Sequence, residues 1–169
     1  PDGNYWGEQC AIKAVETLSS MDEVGVISFN PGGNKPGNNL ASWDFVLGPK
    51  MDGSGVFNAI KQMTPMDMPD FDATLNLALN GTGPTAPCLM NSNAAVKRII
   101  IISDGDPTAP KAALIQQCRD KKIGISTITV YPHTTFVTPT MQKMAEETGG
   151  KYYGPIESNP SQLPQIFIK

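Results

Sequence analysis

The chain has 169 residues, of which 40% are hydrophobic and 17% are charged, a composition typical of one folded domain with a packed core. The 16 glycines and 15 prolines are too few for a collagen-like or disordered chain. With 13 basic against 16 acidic residues and no basic stripe, the charge argues against a nucleic-acid partner. No apolar run approaches the roughly 20 residues of a membrane-spanning helix, so we predict no membrane span in this segment.

Cysteine and histidine are too sparse for several kinds of site. Three scattered cysteines exclude a disulfide scaffold and a zinc site, and one histidine excludes a histidine cluster or triad. Cys10 and Cys118 fall on apolar helical positions, which predicts buried thiols. Cys88 falls in a predicted loop, and its state stays open.

Apolar runs with strand composition and stripes with helical spacing divide the chain into a succession of elements. A final helix follows Asn159-Pro160 and continues to the end of the sequence. In chain order, we predict a helix around Ala11, strands over 24–29 and 44–47, helices around Val56 and Leu75, a strand over 96–103, a helix around Leu114, a strand over 123–130, a helix around Met141 and a strand over 152–154.

The order of these elements predicts an α/β fold in which a mostly parallel sheet has helices on both faces. The strand over 44–47 follows a loop rather than a helix, so we expect an antiparallel edge strand there. The run of four isoleucines from Ile99 to Ile102 lacks alternation, which predicts that both of its faces are buried. In open sheets of this kind, ligands bind beyond the carboxyl ends of the strands.

Two carboxylates follow the isoleucine run directly. Asp104 and Asp106 stand where the buried strand ends, and carboxylates at the edge of a sheet suit a hard divalent cation such as Mg²⁺. The alternative interpretation is that both residues only stabilise the turn before the next helix. We favour the metal interpretation because four buried isoleucines lead straight into the acidic pair.

A second acidic segment opens the predicted helix around Leu75. Asp72 or Thr74 could ligate a cation directly or through water, together with Asp104. The alternative is a helix N-cap, in which Asp70 or Asp72 accepts hydrogen bonds from the first turn. The sequence leaves these two interpretations open.

The chain resembles a von Willebrand factor type A domain over nearly its whole length. The family's fold is a Rossmann-like, doubly wound sheet, and its members mostly bind partners rather than catalyse. The final residues, 161–169, are similar to the last helix of bacterial, membrane-associated members, which implies the cell envelope. The resemblance rests on the ordered set of segments 22–29, 74–79, 100–105, 125–130 and 144–153.

The resemblance also implies a metal-ion-dependent adhesion site, in which a partner's carboxylate completes the shell of Mg²⁺, Mn²⁺ or Ca²⁺. Asp104 matches the family's aspartate after the fourth strand. The family's threonine position falls on Ala73, with Thr74 one residue later and Asp72 one residue earlier. The third element, an Asp-x-Ser-x-Ser motif after the first strand, is absent, so we expect a weak and incomplete site in this segment.

The missing motif belongs to a strand that is central in the family's sheet. Pro1 is not an initiator methionine, which indicates a processed or excised segment. Without that strand, residues 24–29 and 96–103 would each face a gap with unpaired backbone groups. We therefore expect residues 1–169 to form a single domain truncated at its amino terminus. An apolar strand upstream, or one supplied by another chain, would fill the gap.

The leading hypothesis is a non-enzymatic, protein-binding domain with a partial Mg²⁺-type site. Asp104, Asp72 and Thr74 would contact the metal, while Asp106, Asn30 and His133 would shape the surface that meets the partner. One alternative is a phosphatase, because residues 104–108 also resemble the Asp-x-Asp-x-Thr motif of haloacid-dehalogenase-type enzymes. That motif normally opens its domain, whereas here it lies past the middle. The other alternative is a structural domain whose metal site has decayed.

Overall fold

The computed structural model describes residues 6–29, 40–64, 70–104, 109–132 and 137–156. Its helices and strands follow the predicted order. The elements are α1 (Trp6–Glu16), β1 (Glu23–Phe29), β2 (Ala41–Pro49), α2 (Ser54–Lys61), α3 (Phe71–Asn80), β3 (Arg98–Ser103), α4 (Ala112–Asp120), β4 (Gly124–Val130), α5 (Val137–Thr148) and β5 (Tyr152–Ile156). The helix predicted after Asn159-Pro160 lies outside the described residues.

Two sheets are formed by the described strands. β3, β4 and β5 make a parallel sheet in that order, and β3 pairs with β4 without any bulge from Arg98–Gly124 to Ser103–Thr129. β1 and β2 make a separate antiparallel pair, in which Phe29 lies opposite Ala41. The predicted mixed α/β class and the antiparallel β2 strand are therefore confirmed.

The main core lies between the parallel sheet and the helices α3, α4 and α5. Because β4 has a partner on each side and helices on its faces, six of its seven residues are buried. Cys10, Cys88 and Cys118 form no disulfide and are buried, which confirms the predicted burial of Cys10 and Cys118 and shows that Cys88 is buried as well. The buried residues of this main core are Phe71, Leu75, Leu79, Ile101, Ile115, Cys118, Ile123, Ile125, Met141 and Met144.

The isoleucine run of β3 is less buried than its sequence predicts. Ile101 is buried against α3, but Ile100 is 39% exposed, so the expectation that both faces are covered is wrong at that residue. The opposite face of the sheet is covered by α1, where Cys10 packs with Ile128 and Val130, and Ile102 packs against them. This helix covers the carboxyl-terminal part of the face and leaves Ile100 partly open.

Helices on both faces connect the two sheets, although β1 and β3 do not pair with each other among the described residues. On one face, the start of α1 packs against β3 and β4, and its end places Val15 against Val24 of β1. On the other face, α3 contributes Leu75 to the main core and Leu77 to a cluster with residues of β2. The space between β1 and β3 therefore lies between two helices.

Candidate functional site

The carboxyl edge of the parallel sheet holds the predicted site. Asp104 follows the last residue of β3 directly and is half-buried. Ile101, three residues earlier, packs in the same cluster as Phe71, the first residue of α3. The start of α3 and the end of β3 therefore lie at the same edge of the sheet.

The first turn of α3 is held in place by an aromatic contact and a cap. The rings of Phe71 and Phe29 meet edge to face, with centroids 5.3 Å apart. Phe29 ends β1, so this contact fixes the start of α3 between the two sheets. The carboxylate of Asp70 accepts a hydrogen bond from the Ala73 backbone N–H at 2.9 Å, which makes Asp70 the N-cap.

Asp72 links α3 to the segment that precedes α4. Its Oδ1 accepts a hydrogen bond from the Lys111 backbone N–H at 2.6 Å, and its Oδ2 lies 3.0 Å from the Lys111 Nζ. Burial raises the pKa of the Asp72 carboxyl, but the two hydrogen bonds and the positive charge of Lys111 outweigh it and lower the pKa overall. The same contacts raise the pKa of Lys111. Asp72 is therefore a carboxylate whose charge is already balanced by a cation.

The hydroxyl of Thr74 forms hydrogen bonds to the backbone of its own helix. The side chain is buried, and its hydroxyl donates to the carbonyl oxygens of Asp70 at 3.0 Å and Phe71 at 3.3 Å. These bonds are made by the hydroxyl proton, so the oxygen keeps lone pairs for another partner. The helix fixes the position of that oxygen close to the capped first turn.

The described residues fit a divalent cation only in part. Asp104 offers a carboxylate and Thr74 a hydroxyl, which are hard oxygen donors, but Asp72 is occupied by Lys111. Within the described ranges, no group of three or more His, Cys, Asp or Glu residues is close enough to hold a metal ion. Asp106, Asn30 and His133 lie outside the described residues.

Sequence reasoning missed two residues that organise this edge. Phe71 was not distinguished from other apolar residues, and Lys111 was not singled out at all. Lys111 acts on a carboxylate 39 positions earlier in the chain, so the sequence around it carries no signal for the pair. The only local signal for Lys111 is its position after Pro110 and directly before a predicted helix.

No helix in the described part of the chain is both long enough and apolar enough to cross a bilayer.

A model of the von Willebrand factor type A domain family matches residues 11–154. Similar solved structures include proximal thread matrix protein 1 from the mussel byssus, with a TM-score of 0.69, 15% identity and 99% of this chain covered. A second crystal form of that protein gives a TM-score of 0.69 at 14% identity. The chain spans 41% and 42% of the length of those two chains. No curated protein matches the sequence.

Proposed function

Because this chain belongs to the von Willebrand factor type A family, we propose that it is a non-enzymatic, protein-binding domain whose partner docks at the carboxyl edge of the parallel sheet. Domains of this family mediate protein interactions, which favours this function over the phosphatase alternative. The observation that carries the proposal is the position of Asp104, directly after a partly buried isoleucine strand and at the same edge as the start of α3.

In this proposal, a divalent cation at the edge connects the domain to an acidic side chain of the partner. Asp104 supplies the main anionic contact, and Thr74 supplies a neutral oxygen. Asp72 acts through water or by positioning, since Lys111 already binds its carboxylate. Asp106, Asn30 and His133 are proposed to form the surface that meets the partner.

We also propose that the site is completed by a strand from elsewhere in the polypeptide, lying between β1 and β3. Both strands run in the same direction: Glu23 at the start of β1 binds the Ser92 hydroxyl before β3, and Phe29 at the end of β1 contacts α3 beside Ile101. α1 begins beside Ile102 and ends beside β1. A parallel strand that leads into α1 would therefore form a βαβ unit with β1.

The effect of divalent cations on thermal unfolding tests the metal site. A site with a Kd of about 1 mM would gain about 1.4 kcal/mol in about 10 mM Mn²⁺, or about 3–6 °C in Tm for a chain of this size. We expect Asp104→Asn to abolish this shift. The matched control is Asp120→Asn, at the exposed end of α4, which should keep it.

Equal responses of the two variants to Mn²⁺ would show that Asp104 is not a ligand. No shift in any of the three proteins would contradict a cation site formed by these residues alone. No shift in a chain that also carries the proposed additional strand would favour the structural domain with a decayed site. The same titration with Mg²⁺ and Ca²⁺ ranks the ions.

A further inference from the structure

The opposite edge of the parallel sheet carries an open pocket of about 350 Å³. It lies where β3 and β4 begin and where α4 and α5 end, far along the strands from Asp104. Four cationic side chains and one acidic side chain line it: Lys97, Arg98, Arg119, Lys122 and Glu147. This local excess of positive charge stands out in a chain whose net charge is −3.

Two of these charges are already engaged. The Lys97 ammonium donates to the carbonyl oxygens of Leu89 at 2.7 Å and Ser92 at 2.8 Å. Glu147 has Lys143 as an ion-pair partner, with 3.8 Å between Nζ and Oε1.

Three exposed cations remain without an acidic partner in the described ranges. Arg98, Arg119 and Lys122 form no ion pair there. The pocket thus presents positive charge that its own carboxylate does not neutralise.

Helix stability does not account for this cluster. Arg119 lies in the last turn of α4, where a cation interacts favourably with the helix dipole. Arg98, however, is the first residue of a strand. Lys122 lies in the turn after α4 with a φ of 55°, a left-handed conformation that glycine adopts more readily than lysine.

Glycine forms the floor between these cations. Arg98 pairs with Gly124 at the start of the parallel ladder. The Nη1 of Arg98 lies 3.2 Å from the point where a Cβ on residue 124 would stand. A Cβ at 124 would therefore force the guanidinium to shift slightly, whereas glycine leaves room for it beside the pocket that both residues line.

We propose that this pocket binds the carboxylates of an acidic peptide segment on a partner protein. Guanidinium groups bind carboxylates through two parallel hydrogen bonds, and two such groups face the pocket. The cations are exposed and the pocket is open, which suits a segment lying across the surface better than a small molecule that needs enclosure. This surface is separate from the cation edge and does not depend on a metal.

The test measures binding of a fluorescein-labelled oligo-glutamate peptide of about six residues by anisotropy, in about 50 mM salt. The double variant Arg119→Gln/Lys122→Gln is compared with Lys13→Gln/Lys61→Gln, which removes two exposed cations from α1 and α2, neither of which lines the pocket. We expect the first variant to bind about 5- to 30-fold more weakly, because each exposed ion pair contributes modestly. The control variant and the unmodified chain should bind alike.

Further measurements distinguish specific binding of an acidic peptide from diffuse attraction and from binding of other anionic partners. An oligo-glutamine peptide should not bind, and about 300 mM salt should weaken the glutamate peptide. Equal losses in the two double variants would show diffuse attraction rather than a site. Failure of the glutamate peptide to bind at low salt would overturn the proposal, as would binding only to duplex DNA or to vesicles containing phosphatidylserine.

Discussion

Removal of the Phe71 ring should destabilise the whole domain, because this side chain joins the two sheets at the candidate site. Phe71 is 0% exposed and packs in the main core, where its ring also meets Phe29. A buried Phe→Ala change leaves a cavity and costs about 3–5 kcal/mol. The lost aromatic pair accounts for about 0.5–1.5 kcal/mol beyond simple burial. We therefore expect the upper half of the range.

Urea denaturation and thermal unfolding measure this loss for Phe71→Ala. At about 2–4 °C per kcal/mol for a chain of this length, the Tm should fall by about 8–20 °C. Phe57→Ala is the matched control, since Phe57 is only partly buried on α2, and it should cost less. A loss below about 1 kcal/mol at Phe71, or one no larger than at Phe57, would refute the proposed joining role.

Two further predictions concern the acidic residues at the start of α3. Asp70→Ala should cost about 1 kcal/mol in urea denaturation, whereas Asp70→Asn should be nearly neutral because asparagine also caps helices. Equal losses in both variants would show that the charge of Asp70 matters more than its cap. Asp72 has a lowered pKa, so its contribution to folding stability is present above its ordinary pKa of 3.8 and is lost as the pH falls through the lower folded value. The stability difference between the unmodified chain and Asp72→Asn should therefore be larger at neutral pH than at about pH 3. A difference that does not change with pH would contradict the Asp72–Lys111 pair.

Local sequence patterns predicted the elements because each depends on its own hydrophobic spacing. Boundaries were less accurate where the residues carry little pattern. β2 begins at Ala41, three residues before the predicted start, since Ala41 and Ser42 are small and carry no strand pattern, and pairing with the end of β1 holds them in the ladder. β3 begins at Arg98 rather than Val96, and Val96 is largely exposed.

The candidate site was predicted less completely, because its contacts join distant segments. The sequence placed acids before α3 but could not decide that Asp70 caps the helix while Asp72 binds Lys111. The basic pocket could not be predicted from the sequence either, because its cations come from separate parts of the chain around residues 98, 119 and 122. No run of basic residues in the sequence indicates this pocket. The residues come together only because α4 connects β3 to β4 in the folded chain.

The isoleucine run of β3 has the sequence of a central strand, although β3 lies at the open edge of the described sheet. Strands at the edge of a sheet usually carry a charge, a proline or a bulge that prevents further pairing. β3 has none of these between Ile99 and Ile102, and Ile100 is partly exposed. The sequence of β3 is thus suited to a central strand, although β3 stands at an edge among the described residues. Because α1 and α3 cover the space beside it on both faces, the strand that we propose to fill this space must be apolar on both sides. Its carboxyl end would lie beside Asp104, so one segment would both close the sheet and bring further ligands to the proposed cation.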